Sequence, residues 1–264
     1  MEKLGIPITI IGAGSVGSFT AFTLAKAGFS NITVIDFDKV EIENMSSQLY
    51  RPCDIGKQKV VALKELIKMF CDTDIEVVDG RYDGKPLSGI VIMAVDSMEV
   101  RADIWKAHAE IAFGTQLLID PRMAAESSLC YAMNPLDPAD CVSYAKTLYT
   151  DEQAVHERCT AKATGYCSLA LSSHIVKVIK DFLCNEDHNY TRVMEWSLRN
   201  NMQICHPKIK PIALSAEAKL ARTPQKPQDL VGALQDTIHR DVGKGRVART
   251  VRTVRKKVVT KKTK

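Results

Sequence analysis

Three glycines and one carboxylate are the first residues whose types and spacing suggest chemistry. Gly12, Gly14 and Gly17 make a G-x-G-x-x-G loop, and Asp36 stands nineteen residues beyond its last glycine. Glycines let a backbone turn tightly and approach phosphate oxygens, while a helix opening at such a loop aims unpaired N–H groups at negative charge. A carboxylate at the distance of Asp36 suits the hydroxyls of a ribose. Alone, the combination says adenine nucleotide, with NAD as the default; a glycine turn that holds nothing is the bland alternative.

Two further groups could react. Cys159 follows a polar, helix-unfriendly loop and precedes a long apolar-patterned helix, with Arg158 and Lys162 beside it. A thiol at a helix start among cations has a lowered pKa and more thiolate at neutral pH, so it could act as a nucleophile; the alternative is a residue that merely packs. His156, three residues earlier, is a candidate base, and Cys167 has the apolar neighbours of a core residue. Asp96 closes the apolar run Ile90–Val95. The eight cysteines include no C-x-x-C pair. Neither a disulfide scaffold nor a four-cysteine zinc site is therefore expected.

The elements that must position these groups are legible from periodicity. Ile8-Thr9-Ile10-Ile11 and Ile32-Thr33-Val34-Ile35 read as strands flanking a helix that stops at Gly28. Sequential strands joined by a helix in this way run parallel. A helix over 56–70 comes next, with Leu63, Leu66, Ile67 and Phe70 on one face. Ile75–Val78, Ile90–Val95 and Leu117–Asp120 read as further strands, with a helix over 102–112 between the last two. From Leu129 to about Tyr149 the pattern suggests a strand and a loop with two prolines, and a helix over about 163–183 closes the core. Near-continuous apolar strands alternating with helices predict an α/β fold, a doubly wound, mostly parallel, Rossmann-like sheet. Beyond Cys184 the pattern weakens to one short helical stretch over Val193–Leu198 and a proline-spaced segment.

Composition bounds the reading. The 264 residues are 45% hydrophobic and 25% charged, which excludes collagen-like, wholly disordered and coiled-coil chains. No apolar run reaches the ~20 residues of a spanning helix, and the opening residues lack a signal-peptide shape, so a soluble, cytoplasmic protein is expected. Residues 240–264 hold eleven Lys and Arg against one Asp, a local net of +10, leaving −5 on the preceding 239 residues. That tail could touch nucleic-acid phosphates without reading sequence, since it offers no aromatic to stack on a base; a solvated or partner-docking tail is the equal alternative.

The residues after Asp36 do not fit a dehydrogenase. Asp36-Phe37-Asp38-Lys39-Val40, then Asn44-Met45-Ser46-Ser47-Gln48, then Gly56-Lys57-Gln58-Lys59 before a helix, resemble the ThiF/MoeB/ubiquitin-activating-enzyme superfamily. Its patterns there are D-x-D-x-V, N-x-x-R-Q and G-K-x-K, and its D-x-x-x-x-R reads here Asp96-Ser97-Met98-Glu99-Val100-Arg101. The resemblance covers roughly residues 1–185. It implies that ATP and Mg2+ bind at Gly12, Gly14, Ser15, Gly17, Asp36, Asp38, Asn44, Gln48, Lys59 and Asp96. Asp36 would hold the ribose, Asn44 and Gln48 would donate to phosphate oxygens, Lys59 would neutralise them, and Asp96 would sit on the magnesium side. Lys57 reads as a solvated lysine, Asp38 equally as a turn cap, and Arg101 as a possible partner of Asp96 or Asp103. Cys159 lies where ThiF itself carries its sulfur-linking cysteine.

One position departs from the pattern. Ser47 stands where the family has the arginine of N-x-x-R-Q, leaving Arg51, Arg122 or a second subunit to supply that charge. The resemblance implies a ThiF-type adenylyltransferase, catalytic through Asp96, Lys59 and Cys159, acting on the Gly-ended tail of a ubiquitin-like or sulfur-carrier protein, as a homodimer. A tRNA-modifying dehydratase of the same superfamily and a non-catalytic nucleotide-binding subunit stay open as alternatives. The expected organisation is an ATP-binding adenylation domain over 1–185, a weakly patterned extension over 186–239, and the basic tail over 240–264.

Overall fold

The computed structural model describes residues 2–109, 114–124, 126–149, 164–184, 190–197 and 202–207. Strands form where β-branched residues cluster, because their branched Cβ atoms pack well on a pleated surface. Five of them, β1 (Ile8–Ile11), β2 (Ile32–Asp36), β3 (Glu76–Asp79), β4 (Gly89–Met93) and β5 (Thr115–Ala124), lie parallel. Antiparallel strands β6 (Ser127–Met133), β7 (Val193–Ser197) and β8 (Met202–His206) continue the same sheet. The order is β3-β2-β1-β4-β5-β6-β7-β8. Helices α1 (Ser15–Lys26), α2 (Lys59–Cys71) and α3 (Met98–Ala109) make the crossovers, and α4 (Pro138–Ala145) and α5 (Gly165–Cys184) complete the layers. The expected α/β, mostly parallel Rossmann-like sheet is the one observed.

Why helices cover both faces follows from the period of two along each strand. In β4, Ile90 and Ile92 join the apolar cluster formed with Leu24 of α1, Leu63 and Leu66 of α2, and Ile175 and Ile179 of α5. The residues between and beyond them, Val91 and Met93, join the opposite cluster with Ile104 and Trp105 of α3 and Tyr144 of α4. All four are fully buried. A strand buried on both faces reads as a continuous apolar run, which is the pattern of Ile90–Met93. Helices α1 and α5 meet through small residues: Thr20 Oγ1 donates to Ser172 Oγ at 3.0 Å, and Ser172 Oγ to the Val16 carbonyl at 3.2 Å.

Two stretches differ from the expectation. Val193–Leu198, patterned like a short helix, holds the strand β7, in which Val193 and Met194 pair with Tyr131 and Cys130 of β6. Both side chains are buried, one on each face, so tertiary pairing outweighs the local pattern. The proline-bearing stretch after β6 contains α4, because Pro138 occupies the first helical position, where its missing N–H costs nothing. Asp137 caps that helix by accepting the Ala139 N–H at 2.9 Å. Strands β7 and β8 also carry the sheet past residue 185. Among the described residues no helix is long and apolar enough to cross a membrane.

Candidate nucleotide site

In the strand order, β1 has β2 on one side and β4 on the other, so the chain's winding reverses there. Open α/β sheets bind ligands outside the carboxyl ends of strands at such a point. The glycine loop leaves β1 at this edge. Gly12 has φ +99°, and a Cβ on it would lie 2.3 Å from the Ala94 carbonyl oxygen just past β4; one on Gly17 would lie 1.9 Å from the Gly12 carbonyl oxygen. Both must therefore be glycine for the loop to close against β4 and for α1 to start where it does. Around Gly14, by contrast, a Cβ would meet nothing within 4 Å. The loop is packed at its two ends and open over its middle, where Ser15 begins α1.

Asp36 ends β2 and points both carboxylate oxygens at backbone. Oδ2 accepts the Ala13 N–H at 2.6 Å and Oδ1 accepts the Asp38 N–H at 2.7 Å. Each oxygen retains a second lone pair for a further donor. Tyr50 reaches the same loop from the other side: its hydroxyl donates to the Ala13 carbonyl at 2.6 Å. Nothing in the periodicity or the spacing of the candidate residues singles Tyr50 out, and it is missing from the expected site for that reason. Lys59, buried at the start of α2, pairs through Nζ with Asp38 Oδ2 at 2.8 Å. Lys57 instead pairs with Glu65 at 2.6 Å and lies closer to solvent, as a lysine at a helix start should.

Between β2 and α2 the chain makes a 3-10 turn over Ile42–Ser46. Asn44 Oδ1 accepts the Glu41 N–H at 2.9 Å, which commits the carbonyl end of the amide and leaves its NH2 end for an acceptor. Gln48 Oε1 is buried without a hydrogen-bond partner. Ser47 is buried, and the segment abuts the start of α5: a Cβ on Gly165 would sit 3.1 Å from the Ser46 carbonyl oxygen, and Ser168 Oγ donates to the Ser47 carbonyl at 3.4 Å. The Leu49 N–H donates to Ser18 Oγ at 3.2 Å, tying this segment to the first turns of α1.

Asp96 is exposed in the turn between β4 and α3, two residues beyond Ala94, which touches both Gly12 and Gly17. Among the described residues no cluster of three or more His, Cys, Asp or Glu could hold a metal by itself. Mg2+ asks for less, one or two carboxylates with water and phosphate oxygens, so the donor set fits. Arg101 pairs with neither Asp96 nor Asp103: it is buried, its Nη1 donates to Asp120 Oδ1 at 2.9 Å, and its Nη2 donates to the Val95 carbonyl.

Both arginines held open as a replacement at Ser47 are paired with carboxylates. Arg122 donates from Nε to Asp120 Oδ2 at 2.7 Å and from Nη1 to the Thr147 carbonyl at 2.9 Å, and its guanidinium stacks over Tyr131 at 4.8 Å. Arg51 makes two bonds to Asp54, Nε at 2.9 Å and Nη2 at 2.8 Å. Those bonds hold the Asp54 carboxyl down at about 2. Cys167 is fully buried in α5, and burial pushes its thiol pKa up, the behaviour of a core residue. Cys159, His156, Arg158, Lys162 and the tail over 240–264 lie outside the described residues.

Comparison with known proteins shows the family and the fold. A model of the ThiF family matches residues 5–212, and the chain belongs to that family. Among curated relatives, ubiquitin-like modifier-activating enzyme 5 of Drosophila simulans is 30% identical over 118 residues, 37% of this chain and 29% of the relative. The NEDD8-activating enzyme E1 catalytic subunit of Arabidopsis thaliana is 34% identical over 103 residues, 36% of this chain and 23% of the relative. The matched region is thus less than a third of these relatives' own length. Among solved structures, the microcin C7 biosynthetic enzyme MccB in complex with N-formylated MccA superposes with a TM-score of 0.66 at 15% identity, over 80% of this chain and 67% of that one. MccB of E. coli with ATP gives 0.64 at 14% identity over 80% and 67%, and PaaA gives 0.63 at 17% over 79% and 65%. At such identities these likenesses speak for the fold.

Proposed function

We propose that this ThiF-family chain adenylates the C-terminal carboxylate of a protein or peptide. In that reaction a carboxylate oxygen attacks the α-phosphorus of ATP, the bond to the β-phosphate oxygen breaks, and pyrophosphate leaves. Both reactants are anions, so the site must offset charge and hold oxygen in line with phosphorus. The observation that carries the proposal is the loop, closed by Gly12 and Gly17 and open over Gly14, with Asp36, Lys59 and Asp96 on the neighbouring elements. Two carboxylates and a buried lysine beyond a phosphate-binding turn suit a triphosphate better than a nicotinamide ring.

Each residue then has a role. Asp36 takes the ribose hydroxyls on its remaining lone pairs while holding the loop. The helix-start N–H groups at Gly14 and Ser15 receive phosphate oxygens. Asn44 presents its NH2 end and Gln48 its amide to further phosphate oxygens. Lys59 offsets phosphate charge and gives up part of its pairing with Asp38 to do so. Asp96 would hold Mg2+, which when bound neutralises the leaving pyrophosphate. The acceptor we infer is a ubiquitin-like or sulfur-carrier protein with an extended Gly-ended tail. Supporting this are the curated relatives, named for ubiquitin-like and NEDD8 activation, and MccB, solved in complex with N-formylated MccA. A second copy of the chain, in a homodimer, supplies the cation that Ser47 lacks.

Isotopic exchange between pyrophosphate and ATP, run with candidate carrier proteins, tests the proposal. Exchange that depends on a free C-terminal carboxylate supports it. Tighter binding of NAD than of ATP in a calorimetric titration sinks it. One observation favours a second reading, a non-catalytic nucleotide-binding subunit: Ser47 is buried against α5, and Arg51 and Arg122 both pair with carboxylates. ATP binding without exchange, as homodimer or with any carrier, would decide for that reading.

A further inference from the structure

The Ala13 peptide groups are held from both sides. Asp36 Oδ2 takes the Ala13 N–H at 2.6 Å, and the Tyr50 hydroxyl donates to the Ala13 carbonyl at 2.6 Å. Tyr50 and Ala13 are both buried, at 6% and 0% exposure, so neither bond competes with bulk water. A trans peptide is planar, with its C=O and the next residue's N–H on opposite sides. Fixing the Ala13 carbonyl toward Tyr50 therefore fixes the Gly14 N–H on the side away from Tyr50.

Gly14 is the N-cap of α1, at φ −75° and ψ −149°, and its carbonyl accepts the Ser18 N–H at 3.0 Å. Its own N–H precedes the first helical turn and has no intrahelical acceptor. Gly14 is also the loop glycine around which a Cβ would meet nothing within 4 Å. The peptide held by Tyr50 thus leads into the one loop glycine with open space beside its Cα, between two packed glycines.

We infer that Tyr50 is a positioning residue for phosphate: through the Ala13 carbonyl it aims the Gly14 N–H at a phosphate oxygen of the bound nucleotide. The inference rests on the proposed nucleotide site and adds to it a residue that touches no ligand. Asp36 serves the ribose and the loop together, whereas Tyr50 serves only the phosphate side. Loss of the hydroxyl frees the Ala13–Gly14 peptide to rotate, so the donor is no longer set before the ligand arrives. The cost falls on ligands that carry a phosphate there.

The test compares Tyr50→Phe with the parent chain, titrating ATP, AMP and adenosine into each. A tethering hydrogen bond of about 1 kcal/mol predicts ATP and AMP affinities reduced roughly 3- to 10-fold. Adenosine affinity stays at the parent value. A general loosening of the fold lowers adenosine affinity by the same factor, and that result overturns the inference. So does undiminished ATP binding by the phenylalanine variant. In the parent chain, amide NMR supplies a second readout independent of the variant's folding. The Gly14 amide proton should shift strongly with AMP and little with adenosine; a Gly14 amide indifferent to AMP overturns the inference. A parent chain that binds no ATP at all removes the proposed nucleotide site and this inference together, whereas parent binding with an unaffected variant removes only the role of Tyr50.

Discussion

Arg101 donates from Nη1 to Asp120 Oδ1 at 2.9 Å in a site where Asp120 has no exposed surface. Asp120 also accepts Arg122 Nε at 2.7 Å and the Tyr144 hydroxyl at 2.9 Å. Burial pushes its carboxyl pKa up, but Arg101 and Arg122 outweigh burial and hold it below the usual carboxylate range. The same Arg101 reaches the Val95 carbonyl, one residue before Asp96. A buried ion cluster therefore backs the turn that carries Asp96, the carboxylate proposed to hold the metal.

Replacing Asp120 by Asn keeps the shape and removes the charge that the buried Arg101 and the partly buried Arg122 face. Breaking a buried pair from one side costs about 3–5 kcal/mol, because the partner's charge is left uncompensated. Urea denaturation of Asp120→Asn should show a loss of that size at unchanged slope. A loss under about 1 kcal/mol would mean that water reaches the cluster.

Asp96→Ala should do the reverse. The side chain is exposed, and exposed substitutions away from packing usually change stability by no more than about 0.5 kcal/mol. Pyrophosphate exchange should fall to background while the melting temperature holds. Exchange at the parent rate in the variant would remove Asp96 from the chemistry.

Much of the fold was legible because its signals are local. Ile90–Met93 reads as a strand buried on both faces, and the Gly12 and Gly17 spacing encodes a steric demand, since a Cβ at either position would lie 2.3 or 1.9 Å from a carbonyl oxygen. Apart from α4, whose start is set locally by Asp137 and Pro138, the failures share a physical cause, partners distant in sequence. Val193–Ser197 is a strand because β6 and β8 flank it, which no window of neighbouring residues reports. Arg101, on α3, pairs with Asp120, nineteen residues away on β5, not with the nearer Asp96 or Asp103. Tyr50 meets Ala13 across thirty-seven residues, and a tyrosine in a run without periodicity carries no mark of that contact.

His174, on α5, gives the stability a pH dependence. It is buried, and burial, with Lys177 adding to it and Asp181 opposing, pushes its pKa down to about 4. In the unfolded chain a histidine titrates near about 6.5. Above that pH neither state holds the proton and the stability is complete. As pH falls from about 6.5 toward 4, the unfolded state takes up a proton that the folded state refuses, and stability drains by up to about 1.4 kcal/mol per unit. Thermal melts of the parent and of His174→Gln over this window should diverge, with the parent steeper. Parallel curves would mean that His174 protonates freely in place.

Removal of residues 240–264 should leave pyrophosphate exchange at the parent rate, since every residue assigned to ATP precedes Asp120. The eleven cations of that segment should instead govern any tRNA binding. If they contact Z phosphates, the logarithm of the association constant falls with the logarithm of salt at a slope of about −0.7Z to −0.9Z. The truncated chain should lose both the affinity and the slope. Binding that survives truncation with its slope intact would place the nucleic-acid contact elsewhere.

Cys159 separates two ways of finishing the reaction. An acyl-adenylate can be attacked directly by an outside nucleophile, or by an enzyme thiolate, whose sulfur bonds to the acyl carbon as AMP departs. Adenylation itself needs no thiol. Arg158 immediately precedes Cys159 and Lys162 lies three residues beyond it, and cationic neighbours lower a thiol's pKa and raise its thiolate fraction at neutral pH. In sequence Cys159 comes six residues before α5, the helix that packs on Ser46 and Ser47, in the segment whose Asn44 and Gln48 are proposed to meet phosphate. With ATP and a carrier protein, the parent chain should form an adduct on a non-reducing gel that added thiol releases. Cys159→Ser should keep pyrophosphate exchange, yet lose that adduct or trap an ester that thiol does not cleave. An adduct unchanged in the serine variant would assign the bond to another cysteine, and Cys167, fully buried with its pKa raised, is poorly placed to take it. Exchange without an adduct in either protein would mean direct transfer from the adenylate, with the thiol a bystander.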